Sequence, residues 1–120
     1  MADTEERWRQ RLRAVPYNVV AYLGDEPAGI VSATDLIYGE MVLLSLWVAP
    51  AARGQGVGDE LIGAVLRRAV AHGASRVALD VRNMNRHAMG LYRRHGFLDA
   101  GPTPDLEPDD PPERRMVRVL

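Results

Sequence analysis

Hydrophobic and polar residues alternate differently in successive parts of the first third of the chain. Trp8, Leu12 and Val15 follow one another at helical spacing, and Pro16 then ends that pattern. The runs "YNVVAYL" and "AGIVSATDL" lie on either side of "GDEPA", a cluster of turn-forming residues. This arrangement predicts a helix followed by a β-hairpin. The next run, Met41–Val48, is apolar on both faces, which predicts a central, buried third strand.

From Asp59 the apolar positions recur with a helical period, and Gly73 marks the end of that helix. The apolar stripe of this helix consists of Leu61, Ile62, Val65, Leu66, Ala69 and Val70. The segment "SRVALDV" alternates as a strand, and "NMNRHAMGLYRRHG" follows as a helix closed by Gly96. The short strand "FLDAGP", an acidic proline-rich loop and the strand "RRMVRVL" complete the chain. The order α-β-β-β-α-β-α-β-β predicts a mixed α/β (α+β) fold, with about six strands in one sheet flanked by helices.

Composition narrows the class of protein. The 120 residues predict a single domain over residues 1–120, and 47% hydrophobic content provides one core. A net charge of −1 without a basic run argues against nucleic acid and anionic membranes as partners. The sequence has no cysteine, and its three histidines show no metal-ligand spacing, so no metal is expected. The charged N-terminus and the absence of a long apolar run favour a cytoplasmic protein.

The segment "RGQGVG", Arg53 to Gly58, connects the third strand to the second helix. Three glycines in this short stretch are costly in backbone entropy, which suggests that the bare backbone has a use. The first amides of a helix have no internal partner, and the helix dipole places partial positive charge there. Glycine lets a phosphate approach these amides closely, and Arg53 adds a formal charge. The pattern therefore indicates a site for a phosphate or pyrophosphate.

Other phosphate-binding loops fit this stretch less well. The Gly-Lys-Ser/Thr ending of a Walker loop is absent. A dinucleotide fingerprint needs a third glycine where Asp59 stands, although Asp80 lies near the ~20-residue distance at which a ribose-binding carboxylate is expected. A tight turn with no ligand is the remaining interpretation.

Two blocks together resemble the GCN5-related N-acetyltransferase (GNAT) family. The first is that family's Arg/Gln-x-x-Gly-x-Gly/Ala signature, which stands here as Arg53-Gly54-Gln55-Gly56-Val57-Gly58 after Val48 and Pro50. The second is "N-x-x-A-x-x-L-Y-x-x-x-G-F" following the strand "VALDV", and its members are Asn85, Ala88, Leu91, Tyr92, Gly96 and Phe97. The similar region extends from about Asn18 to Leu120.

This resemblance implies acetyl-CoA as donor and an amine as acceptor. It implies that the third and fourth strands are parallel and splay apart, so that the pantetheine arm pairs with the main chain at Leu46, Trp47 and Val48. The pyrophosphate would lie on the amides from Arg53 to Gly58. Seven residues separate Asn85 from Tyr92, so both lie on one helix face. Asn85 could therefore bind a pantetheine amide, or it could instead cap the helix.

The chemistry of amine acetylation suggests candidate catalytic groups. The resemblance implies that the main-chain amide of Val48 stabilises the oxyanion, and Tyr92 suits the role of proton donor to the leaving thiolate. Glutamates often serve as base on the family's central strand, and Glu40 begins that strand with the parity of Leu46 and Val48. His87, two residues after Asn85, is expected to face away from the site.

The front of the chain departs from the family pattern, because the usual first strand and helix are missing. The departure leaves Tyr17–Leu23 as an exposed edge strand, which predicts a homodimer. It also keeps open a different function, that of a catalytically weak acyl-CoA-binding module. A nucleotide-binding module that uses the same glycine loop is a third possibility.

Overall fold

The computed structural model describes residues 17–120, and the helix predicted near Trp8 to Val15 lies outside them. Six strands form one sheet: β1 (Tyr17–Leu23), β2 (Glu26–Ala33), β3 (Glu40–Val48), β4 (Arg76–Arg82), β5 (Leu98–Pro102) and β6 (Glu113–Val119). Two α-helices accompany them, α1 (Val57–Ala71) and α2 (Arg86–Arg94), and a single 3-10 turn covers Pro50–Ala52. The mixed fold and the predicted order of these elements are confirmed.

The sheet has the strand order β1-β2-β3-β4-β6-β5, with β3 and β4 as its parallel pair and antiparallel pairing elsewhere. Helix α1 packs against β1, β2, β3 and β4 and covers one face. The core between helix and sheet is closed by fully buried side chains such as Phe97, Met41, Leu61, Ile62 and Leu79. One position of the predicted stripe differs, because Val70 is 65% exposed.

Strand β1 is an edge of the sheet formed by residues 17–120, as expected. Its seven residues carry no charge, so they lack one common protection against pairing with another chain. The homodimer stays a prediction, which light scattering of the eluting protein at micromolar concentration would test. Neither helix of the described part has the length and apolar character needed to span a bilayer.

Strand β3 is central, as predicted, but its second half is not buried. An extra residue, Leu44, interrupts its pairing with β2, where Ser32 pairs with Ser45 and Ala33 pairs with Leu43. Such a β-bulge breaks the two-residue alternation of side chains. Leu43 and Leu46 consequently share the helix-covered face, although three positions separate them.

Candidate functional site

The glycine loop forms the junction between β3 and α1. Gly54 and Gly56 adopt left-handed backbone angles, with φ of 78° and 80°. Gly56 is the N-cap of α1, and no side chain of residues 17–120 caps this helix. The first internal hydrogen bond of α1 runs from the amide of Glu60 to the carbonyl of Gly56. The amides of Val57, Gly58 and Asp59 come before that donor, so they have no acceptor within the helix and point toward its open end. The local backbone has the form of an anion site.

A cavity of about 640 Å³ opens beside this loop, between α1, α2 and the end of β3. It brings together most of the residues predicted for the donor site: Leu46, Trp47, Val48, Arg53, Gly54, Gly56, Val57, Gly58, Asn85 and Tyr92. Gln55 is not on the cavity wall, and its side-chain amide instead donates to the carbonyl of Ala51 at 3.2 Å.

The part of β3 that lines the cavity is no longer paired with β4. Strands β3 and β4 pair in parallel from Glu40 opposite Arg76 to Leu43 opposite Leu79, and the pairing stops there. Strand β3 nevertheless continues to Val48. The prediction that β3 and β4 are parallel and splay apart is thus confirmed. The edge of β3 that no longer pairs with β4 faces the cavity.

Two residues of α2 that the sequence singled out are brought to the cavity. The Asn85 side-chain oxygen accepts a hydrogen bond from the amide of Ala88 at 3.1 Å, so Asn85 caps the helix while also lining the cavity. Tyr92 is 7% exposed, and its ring makes an edge contact with Phe97 at 6.0 Å between centroids. Burial raises the pKa of Tyr92, so its phenol is protonated at neutral pH.

Glu40 is not brought to this site. Because of the bulge at Leu44, the side chain of Glu40 lies on the face of the sheet opposite that of Leu46, contrary to the expected parity. Glu40 also lies six positions before Leu46, which is about 20 Å along the strand at ~3.3 Å per residue. Its carboxylate pairs with Arg76 instead.

Asp80 also lies away from the cavity, on the opposite face of the sheet. Its carboxylate accepts two hydrogen bonds from Arg115, at 3.0 and 2.9 Å, and one from Thr103 at 2.8 Å. Partial burial alone would raise the pKa of Asp80, but these hydrogen bonds outweigh it and hold the pKa below its ordinary value. The Asp80 carboxylate thus binds Arg115 and Thr103. The dinucleotide interpretation therefore lacks a carboxylate that could bind the ribose.

Three charged or titratable residues line the cavity without having been predicted: Asp59, His87 and Arg94. The expectation that His87 faces away was wrong, because Asn85 has non-helical angles and helical counting from it does not apply. Asp59 lies in the first turn of α1, where one carboxylate oxygen is 2.7 Å from His95 Nε2 and 3.3 Å from an Arg94 nitrogen. The hydrogen bond from His95 lowers the pKa of Asp59 most, slight burial opposes this, and Arg94 adds to the lowering.

The chain is similar to known proteins in both sequence and structure. The model of the acetyltransferase (GNAT) family matches residues 1–97. The bovine (Bos taurus) thialysine N-epsilon-acetyltransferase is 39% identical over 57 residues, which is 48% of this chain and 34% of that protein. The IAA acetyltransferase of Azospirillum brasilense is 35% identical over 72 residues, 60% of this chain and 46% of that protein. The chain thus spans less than half the length of these curated relatives.

Solved structures share the fold over most of the chain. Nourseothricin acetyltransferase superposes with a TM-score of 0.76 at 30% identity, covering 85% of this chain and 64% of that one. Ard1 from Thermoplasma volcanium gives a TM-score of 0.87 over 100% of this chain and 82% of that one, and at 23% identity this likeness concerns the fold alone. With the family model matching 97 of the 120 residues, the chain belongs to the acetyltransferase (GNAT) family.

Proposed function

We propose that this protein is an N-acetyltransferase that transfers an acetyl group from acetyl-CoA to a primary amine of a small molecule or peptide. The observation that carries the proposal is one cavity with two kinds of unpaired backbone, the N-terminal amides of α1 and the free edge of β3. CoA offers a matching pair of features, a pyrophosphate and an extended arm with two amide groups. Two relatives are named as acetyltransferases of thialysine and of L-methionine sulfoximine, and both of these molecules carry a primary amine.

The anion end of the cavity suits the pyrophosphate. The amides of Val57, Gly58 and Asp59 would donate to its oxygens, and Arg53 would supply a full positive charge. Apart from the adjacent residues of the chain, a methyl group added at Gly54 or Gly56 would meet no atom of the described residues within 4 Å. The space over this loop is therefore open to a ligand.

The pantetheine arm would extend along β3. From Leu46 to Val48 this strand keeps β2 on one side, and the described residues give it no strand partner on the other. An extended amide chain can pair with such an edge as an added strand. This placement would direct the thioester into the gap between β3 and β4.

The reaction would proceed by direct attack. The amine nitrogen bonds to the thioester carbon, and the main-chain amide of Val48 holds the negative oxygen that forms. The carbon–sulfur bond then breaks as the tetrahedral intermediate collapses, and the amine proton passes to water. The leaving sulfur takes a proton from the Tyr92 phenol, to which no described residue is hydrogen-bonded, and the phenolate then regains a proton from water. Glu40 has no part in this scheme.

An assay of thiol release from acetyl-CoA with a panel of primary amines tests the proposal. The Tyr92→Phe variant should lose about 10²-fold in kcat, the low end for a general acid, while its affinity for acetyl-CoA changes little. Tyr22→Phe is the matched control, because Tyr22 is exposed on β1 and is not on the cavity wall. Binding of acetyl-CoA without thiol release for any amine would instead favour the acyl-CoA-binding module.

A further inference from the structure

One positively charged side chain on the cavity wall, that of Arg94, has no role in the reaction scheme above. We propose that Arg94, which donates to Asp59 at the cavity edge, binds the 3′-phosphate of the CoA ribose. This inference rests on the proposed function, because it assigns a second phosphate of the same donor. It names a recognition residue that the sequence motifs do not contain.

A contact between the two helices places Arg94 at the cavity edge. Arg94 lies in the last turn of α2, and its side chain reaches Asp59 in the first turn of α1. It therefore lies at the end of the cavity where the α1 amides and Arg53 are found. The 3′-phosphate and the pyrophosphate of CoA are attached to one ribose ring. A ligand with its pyrophosphate on α1 must place its 3′-phosphate within a short distance of that end.

Arg94 is free to take up a phosphate without breaking the cluster. A guanidinium has five N–H donors, and the hydrogen bond to Asp59 uses one of them. The side chain is 60% exposed, so a ligand can reach the others. Since the shorter contact of Asp59, at 2.7 Å, is with His95, the carboxylate keeps a partner if Arg94 turns toward the ligand. The remaining donors form a planar fork that matches a phosphate.

The cluster also resolves an electrostatic conflict. An ionised Asp59 on the first turn of α1 suits the helix dipole, but it would repel a polyanion bound at the same turn. The guanidinium of Arg94 offsets that charge, and His95 lies within hydrogen-bond distance of the same carboxylate oxygen. An ion pair this exposed contributes only about 0–1 kcal/mol to stability, so its stabilising role alone would be small.

The test compares CoA with 3′-dephospho-CoA, which has the same pyrophosphate and arm. Calorimetric titration of wild-type protein should show CoA binding about 10-fold more tightly, the low end for a hydrogen bond to a charged group in an exposed position. Arg94→Gln should reduce that preference to below about twofold by weakening CoA alone. Arg93→Gln is the control, since Arg93 has the same charge, is exposed and is not on the cavity wall, and it should keep the preference.

Three results would overturn the inference. They are a wild-type protein that binds the two ligands equally, an Arg94→Gln variant that keeps the full preference, and one that loses both ligands in the same proportion. A wild-type protein that binds neither ligand would instead refute the proposed function, and the inference with it. Thermal melts of both variants without ligand show whether the helices remain packed.

Discussion

Replacing Gly56 with alanine separates the two uses that a glycine loop can have. Gly56 has φ of 80°, where an L-residue costs roughly 1–2 kcal/mol. Gly73, after the end of α1, has φ of 76°, and at Gly73 as at Gly56 an added methyl group would meet no described residue within 4 Å beyond its chain neighbours. The two substitutions should therefore cost the same stability. For a chain of this length, that is a fall in Tm of about 4 °C per kcal/mol.

Of these two glycines only Gly56 lines the cavity, so Gly56→Ala should affect donor binding and Gly73→Ala should not. Displacing one amide from a phosphate oxygen removes a charge-assisted hydrogen bond of about 1.5–3 kcal/mol, which is roughly 10- to 100-fold in Kd. Thermal melts and calorimetric titration with acetyl-CoA measure the two effects on the same samples. Equal Kd values for Gly56→Ala and Gly73→Ala would refute the reasoning and leave the loop as a turn.

Three further substitutions test the packing and charges around the site. Gly29→Ala places a methyl group 2.7 Å from the Trp47 carbonyl, so β2 and β3 must separate and urea melts should show a loss of about 2 kcal/mol; a loss near zero would contradict this contact. A methyl group at Gly90 meets no described residue within 4 Å, so Gly90→Ala should raise stability by about 1 kcal/mol, and a destabilised variant would contradict this. Asp80→Asn should destabilise by up to about 1 kcal/mol at neutral pH. Because the pKa of Asp80 is lower in the folded than in the unfolded protein, the stability difference between wild type and Asp80→Asn should shrink as pH falls below ~3.9 and through the folded pKa. A stability difference that does not change with pH would mean that the ion pair with Arg115 contributes nothing.

The fold was predictable because its elements have strong local patterns. The alternation of Val77, Leu79 and Val81 matches their burial in β4, and the apolar spacing from Leu61 to Ala69 matches the buried side of α1. Both patterns follow from the geometry of one strand or one helix. The glycine loop was predictable for the same reason, because its arginine, its glycines and the helix that follows are consecutive in the chain.

The position of Glu40 was not predictable because the bulge at Leu44 has no signature of its own. Within an almost wholly apolar run such as Met41–Val48, the sequence does not show which residue is extra. A single inserted residue moves every side chain on one side of it to the other face. The parity argument for Glu40 therefore failed, while the main-chain assignments at Leu46 and Val48 were unaffected.

The cluster at Asp59 was missed for a different reason. An acidic residue in the first turn of a helix and a basic one in the last turn each have a sufficient local explanation in the helix dipole. The contact between Asp59 and His95 joins residues 36 positions apart, and it depends on how α1 and α2 pack against each other. Periodicity within either helix carries no information about that packing.

The central claim is that the Arg53–Gly58 loop holds the pyrophosphate of acetyl-CoA. The most direct measurement is a calorimetric titration of the purified protein with acetyl-CoA, with NAD and ATP as parallel ligands, repeated on Arg53→Ala. Arg67→Ala is the control, because Arg67 is an exposed arginine of α1 that is not on the cavity wall. We predict that acetyl-CoA binds in preference to NAD and ATP and that Arg53→Ala alone weakens it. Binding of NAD or ATP in place of acetyl-CoA, or an Arg53→Ala variant with unchanged affinity, would contradict the claim.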